Sequence, residues 1–179
     1  MQWYNLPAAW QDQNGSLTVT TAPKSDFWRK THYGFIRDSG HFYYQDVPGD
    51  FTVEVRVDGQ YKDLYDQAGL MLRVDEANWI KTGIEYFDGY QHVSAVATRE
   101  FSDWSVVRLA DPPASLWLRV TRKAEAVQVF YSLDGEHYLL LRMAYLAPSA
   151  TTQAGPMCAS PDGEGFTVTF HGLTFLPGA

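Results

Sequence analysis

The 179-residue chain carries 14 Lys and Arg against 21 Asp and Glu, a net charge of −7, with 45% hydrophobic and 15% aromatic residues. Basic residues this few and this scattered build neither a phosphate-binding surface nor a polybasic lipid patch, so neither nucleic acid nor membrane is an expected partner. The lone Cys158 allows no internal disulfide, no apolar run approaches the ~20 residues of a membrane helix, and Met1-Gln2-Trp3-Tyr4-Asn5 lacks a signal-peptide pattern, so a cytoplasmic location is expected.

In chain order, Asp26-Phe27-Trp28-Arg29-Lys30-Thr31-His32 first groups aromatic and basic side chains, a composition that suits a packed turn or a binding rim. Turn signals follow at Asp38-Ser39-Gly40 and Val47-Pro48-Gly49-Asp50. Residues Phe51 to Asp58 alternate apolar and polar, the pattern of a half-buried strand. Two further alternating runs, 66–74 and 79–86, predict a central hairpin. Beyond it, Ser102 or Asp103 is expected to bond nearby backbone where a turn enters a strand. Strands are predicted at 117–122, 127–132 and 137–145, the last after an Asp134-Gly135 turn that needs positive φ. The apolar run Ala154 to Ala159 predicts a buried, inert Cys158 thiol, and 166–171 closes the series. About ten or more short strands with regular turns, and no apolar spacing at helical period, predict one all-β sandwich or barrel domain spanning 1–179.

The central hairpin is the most informative segment. Ala68, Leu70, Leu72 and Val74 share one parity, as do Ile80, Thr82, Ile84 and Tyr86. Facing residues of an antiparallel pair lie on the same side of the sheet, so keeping these sets together requires paired numbers with an even sum. A sum of 154 sets Arg73 against Lys81. A sum of 152 sets Arg73 against Trp79, Met71 against Lys81 and Gln67 against Glu85, and lets a guanidinium lie on an indole, worth about 0.5–2 kcal/mol. The second register is predicted.

One face is then core, and the other carries Gln67, Arg73, Trp79, Lys81 and Glu85, with mid-strand Gly69 and Gly83 marking close approach by a ligand or another backbone. Trp117, Arg119 and Thr121 repeat the pattern opposite Leu118 and Val120. Aromatic, amide and charged groups on a curved face suit a carbohydrate cleft: sugar C–H faces stack on Trp while hydroxyls bond to Arg, Glu and Gln. The alternative is a face whose polar groups satisfy one another under loops.

Catalysis lacks support in the sequence. Glycoside hydrolysis needs two carboxyls about 5–10 Å apart; residues two apart on a strand are about 6.6 Å apart, yet no Glu-x-Asp or Glu-x-Glu occurs. Scattered histidines and no zinc, phosphate-loop or nucleophile-elbow spacing leave no cofactor or metal expected.

Four segments together, Phe27 to Thr31, Asp66 to Met71, Asn78 to Tyr86 and Ser102 to Ser105, resemble the signature of an uncharacterised family of concanavalin A-like proteins, a yeast regulator of enolase among them. A more distant likeness is to C-terminal β-sandwich modules of bacterial β-xylosidases. The resemblance implies a lectin/glucanase-type jelly roll of two antiparallel sheets. The Glu-x-Asp-x-x-Glu strand of glucanases in that fold is absent here, which counts against glycosidase activity.

The expectation is therefore a carbohydrate-binding or sugar-related module. Its concave face should expose Trp28, Gln67, Arg73, Trp79, Lys81, Glu85, Trp104, Trp117 and Arg119 to a carbohydrate or other small polar ligand. The alternatives are a regulatory domain with a protein partner on a metabolic enzyme, and an enzyme on a small sugar or sugar phosphate with Glu85 as acid or base.

Overall fold

Period-two alternation fixes which side of each strand is buried. Val53, Val55 and Val57 are buried, while the intervening Thr52, Glu54, Arg56 and Asp58 reach the surface. In the computed structural model residues 1–178 are described, and they form sixteen strands and no helix. The first six are β1 (Gln2–Tyr4), β2 (Ala9–Gln13), β3 (Ser16–Thr20), β4 (Phe27–Arg29), β5 (Ile36–Asp38) and β6 (His41–Pro48). The middle supplies β7 (Phe51–Gly59), β8 (Gln67–Arg73), β9 (Asn78–Phe87), β10 (Tyr90–Arg99) and β11 (Phe101–Arg108). The last five are β12 (Leu116–Lys123), β13 (Ala126–Ser132), β14 (Leu139–Tyr145), β15 (Thr151–Ala159) and β16 (Thr167–Pro177). No helix long and apolar enough to cross a membrane occurs among the described residues.

Two seven-stranded sheets result, a front sheet ordered β1-β6-β15-β8-β9-β10-β11 and a back sheet ordered β14-β13-β12-β7-β16-β3-β2. Every ladder within them is antiparallel. The chain is a concanavalin A-like, jelly-roll β-sandwich. Between the sheets, Val53, Val55, Leu118, Val120, Val168 and Phe170 meet Ala68, Leu70, Leu72, Ile80, Ile84 and Val93 in the main core. Each Val, Leu, Ile or Phe among them contributes about 1.5–3 kcal/mol through burial. Cys158 lies in this core, where burial pushes its thiol up, away from thiolate reactivity.

The central hairpin adopts the register summing to 152: Gln67 faces Glu85, Met71 faces Lys81 and Arg73 faces Trp79. Gly69 faces Gly83, and a methyl on either would overlap the carbonyl oxygen of Thr82 or Ala68. Close backbone approach is the reason for both glycines. Gly83→Ala should therefore destabilise the protein by about 1–3 kcal/mol in urea unfolding; unchanged stability would show that the strands can part without loss.

The outward face of the front sheet is covered, contrary to the expectation of an exposed one. The β4–β5 hairpin, a flap whose loop holds Lys30, His32 and Gly34 at φ values of 57°, 64° and 73°, lies across it. Phe27, Trp28, Phe42, Met71, Trp79 and Met157 form a second apolar cluster there, so β8 is buried on both sides. The flap is held by long-range bonds: Lys81 Nζ donates to Phe27 O at 2.7 Å and Arg29 N donates to Ser102 Oγ at 2.9 Å. Ser102 therefore bonds distant rather than nearby backbone. Glu100, at φ 61°, makes the turn, and Asp103 accepts from Arg142 Nη2 at 2.9 Å across to β14. The strand expected from His137 starts at Leu139, because Asp134 Oδ1 accepts the His137 and Glu136 amides and extends the turn. Those bonds hold its carboxyl below the usual range.

Candidate functional site

The odd-numbered face of β8 and β9 forms the floor of a hollow. Opposed pairing sets Gln67 beside Glu85, and Lys81 reaches along the floor to Gln67, its Nζ donating to Oε1 at 2.5 Å. The same ammonium, bonded to Phe27 O, lies 3.6 Å from Asp26 Oδ1. Glu85 Oε2 accepts from Ser94 Oγ at 2.8 Å and from Trp104 Nε1 at 2.9 Å. Its second oxygen, Oε1, accepts no hydrogen bond from the described residues, and Glu85 lines the hollow. Burial pushes the Glu85 carboxyl up, and Lys81, Ser94 and Trp104 offset this only in part.

Walls come from four places. The flap contributes Asp26, Trp28, Tyr33, Phe35 and Arg37, β11 contributes Trp104, and the loops flanking β8 and β15 contribute Tyr65, Pro161 and Asp162. Tyr33 and Tyr65 hydroxyls meet at 3.1 Å across the mouth, a bond that raises the Tyr65 hydroxyl pKa together with desolvation. The Arg37 guanidinium stacks 4.4 Å above Phe35. Tyr65 is held at φ 65°, a strained conformation for a bulky residue. The buried Asp66 beside it locks the loop, accepting from the amides of Lys62 and Asp63 and from Ser160 Oγ. The hollow, open at its mouth, is about 170 Å³; an engineered protein cavity of ~150 Å³ holds benzene, so one six-membered ring fits.

Residues 3–177 match the family described as "Protein of unknown function (DUF1349)". The chain belongs to the DUF1349 family. It is 42% identical to "Regulation of enolase protein 1" of Saccharomyces cerevisiae over 168 residues, which is 94% of this chain and 85% of that one. A crystal structure of a functionally unknown protein from S. cerevisiae is similar at TM-score 0.96 and 39% identity, covering 99% of this chain and 96% of that chain. The xylan β-1,4-xylosidase of Bacillus halodurans is similar in fold at TM-score 0.72 and 12% identity, over 90% of this chain and 32% of that one.

Of the nine residues expected on one face, this DUF1349 sandwich brings Trp28, Gln67, Lys81, Glu85 and Trp104 to the hollow. Arg73 is buried beside them in sequence but apart in space. It clamps Asp38 with two bonds of 2.8 Å and lies 4.5 Å over Tyr4, not over the indole. Trp79 faces Arg73 as expected yet is 1% exposed, sealed under Phe27, so it offers no surface. Trp117 and Arg119 point outward as their parity requires, but from the back sheet, on the opposite side of the molecule. There Arg119 pairs with Glu54 at 2.5 Å and stacks 3.8 Å over Tyr138. Parity fixes inward against outward; it does not say to which sheet a strand belongs.

Sequence reasoning flagged Asp26 only as part of a segment suited to a packed turn or a binding rim, and it missed Tyr33, Phe35, Arg37, Tyr65, Pro161 and Asp162. A signal existed for three of them: Tyr33, Phe35 and Arg37 alternate with Gly34 and Ile36. Among the described residues no three His, Cys, Asp or Glu converge to hold a metal. The hollow presents three carboxyl groups, an amide, an ammonium, a guanidinium and two phenols between aromatic walls, a set suited to a ring bearing several hydroxyls.

Proposed function

We propose that this protein binds a carbohydrate without cleaving it, one sugar ring entering the hollow between Trp28 and Trp104. Gln67, Lys81 and Glu85 would bond its hydroxyls. The observation that carries this reading is Glu85, a carboxyl buried against its own preference, with one oxygen unbonded at the base of an aromatic-walled space of one-ring size. A buried carboxyl whose pKa is raised, set in a cleft beside a specific ammonium, is a functional-site candidate. The xylosidase likeness makes xylose a natural first sugar, although that likeness is one of fold.

A second reading is favoured by a separate feature. Val106, Val107, Leu139, Leu140 and Met143 are exposed on β11 and β14, edge strands of the two sheets that Arg142 joins at Asp103 and Ser105, and exposed apolar side chains at such an edge fit protein contacts. Together with the name of the yeast relative, they support a regulatory partner.

Calorimetry with xylose, arabinose, glucose, galactose, mannose and fructose tests the first reading. Saturable binding of one of them is expected, weakened about tenfold or more in Trp104→Ala. Silence from all six overturns the sugar reading, and co-sedimentation with an enolase in the same buffer would install the second.

A further inference from the structure

The hollow does not end at Trp104. A shallower groove, lined by Trp28, Thr31, His32, Tyr33, Phe101, Ser102, Asp103 and Trp104, opens from it along the start of β11. Trp28, Tyr33 and Trp104 belong to both, so the two spaces form one depression with a deep end and an open end. We propose that the ligand is the end of a sugar chain, its terminal ring in the hollow and the following units along this groove. The inference rests on the carbohydrate reading of the hollow and extends it.

Three observations support it. The volumes differ as a one-ring pocket and a multi-ring track would, about 170 Å³ for the hollow against about 640 Å³ for the groove. The chemistry is graded in the same direction. Titratable side chains converge at the deep end, where Glu85 Oε1 accepts no bond from the described residues, whereas in the groove Trp28 Nε1 donates to Thr31 O, Ser102 Oγ bonds Arg29 N and Thr98, and Asp103 bonds Arg142. What the groove offers is aromatic surface, with Phe101 59% and Tyr33 45% exposed. Recognition by charged side chains is therefore centred on the terminal ring, and later rings meet aromatic faces on which their C–H sides stack.

The groove is also held open. Arg29 and Lys30 of the flap both reach Glu100 Oε2, at 3.1 and 3.0 Å, tying the flap to the turn before β11. Lys30 and Glu100 are both in the left-handed conformation, at φ 57° and 61°. A preformed track loses little freedom when a chain settles into it.

Calorimetry on the intact protein with xylose, xylobiose, xylotriose and xylotetraose, and with the glucose series of equal lengths, tests this. The series whose single ring binds should gain at least about tenfold in affinity between one and three units, ~1.4 kcal/mol. The Phe101→Ala protein, altered at an exposed position, should show a trimer-to-monomer affinity ratio within about twofold of one. Equal affinity at every length, or an unaltered ratio in Phe101→Ala, overturns the chain-end inference while leaving the hollow as a sugar site. No binding by any member of either series overturns the chain-end inference, and the sugar reading falls with it when arabinose, galactose, mannose and fructose are silent as well.

Discussion

Glu85→Gln should leave the protein at least as stable as it was at neutral pH and weaken sugar binding about 10- to 100-fold, the loss expected when a hydrogen bond to a charged group becomes a neutral one. The stability half of the prediction follows from the sign of the pKa shift. Burial raises the Glu85 carboxyl in the folded state more than Lys81, Ser94 and Trp104 lower it. A group whose folded pKa lies above its unfolded value favours folding most below the unfolded pKa, and that advantage disappears as pH rises through the folded pKa. Glutamine does not ionise, and its carbonyl can accept the same bonds from Ser94 and Trp104. The difference between variant and wild type should thus be near zero in acid and grow in favour of Glu85→Gln as pH rises. Thermal unfolding between pH 4 and 8 reads it, with a melting temperature higher by about 2–4 °C at the alkaline end for each kcal/mol of relief. Other titrating groups cancel in the difference. A variant that is less stable than wild type at pH 8 would show that Glu85 is held for architecture, and the argument for a ligand would lose its support.

Removing Lys81 should have the largest effect on folding. Lys81→Met keeps much of the volume but strips Phe27 O and Gln67 Oε1 of their donor and leaves Asp26 and Glu85 without the nearby ammonium. Breaking such a buried charged network costs about 3–5 kcal/mol, which lowers the melting temperature on the order of 10 °C for a chain of this size. Part of that loss is the buried Glu85 charge left unopposed, so a Lys81→Met, Glu85→Gln double variant should recover some of it. A coupling of about 0.5–3 kcal/mol in the double-mutant cycle is expected. The remainder is the flap itself, since Phe27 O is the point at which Lys81 pins the flap to the front sheet. Additive effects in the cycle would mean that Lys81 and Glu85 do not sense one another, and the floor of the hollow would be two separate structural contacts.

Much of the fold could be read before any coordinates. The alternation from Phe51 to Asp58 and through 66–86 assigned inward and outward side chains correctly, and the repulsion between Arg73 and Lys81 selected the register that places Gln67 beside Glu85. The resemblance carried by Trp28, Trp79 and Trp104 and their neighbours led to the family matched by residues 3–177. These properties are local. Side-chain parity follows from strand geometry, and cross-strand pairing within a hairpin needs only the residues of that hairpin.

The site itself was only half legible. Arg73 and Trp79 obey the predicted pairing and are nevertheless lost to the hollow, because Tyr4, Asp38 and Phe27 arrive from the first forty residues to cover them. Trp117 and Arg119 obey parity and lie on the other sheet. The sequence alone determined seven of the strands, their faces and the central register. The tertiary structure decided which strands share a sheet and that a flap turns an open face into a walled space, because those outcomes hang on contacts such as Lys81 to Phe27 and Arg29 to Ser102. Their partners lie 54 and 73 residues apart, a separation that period and pairing within a hairpin do not reach.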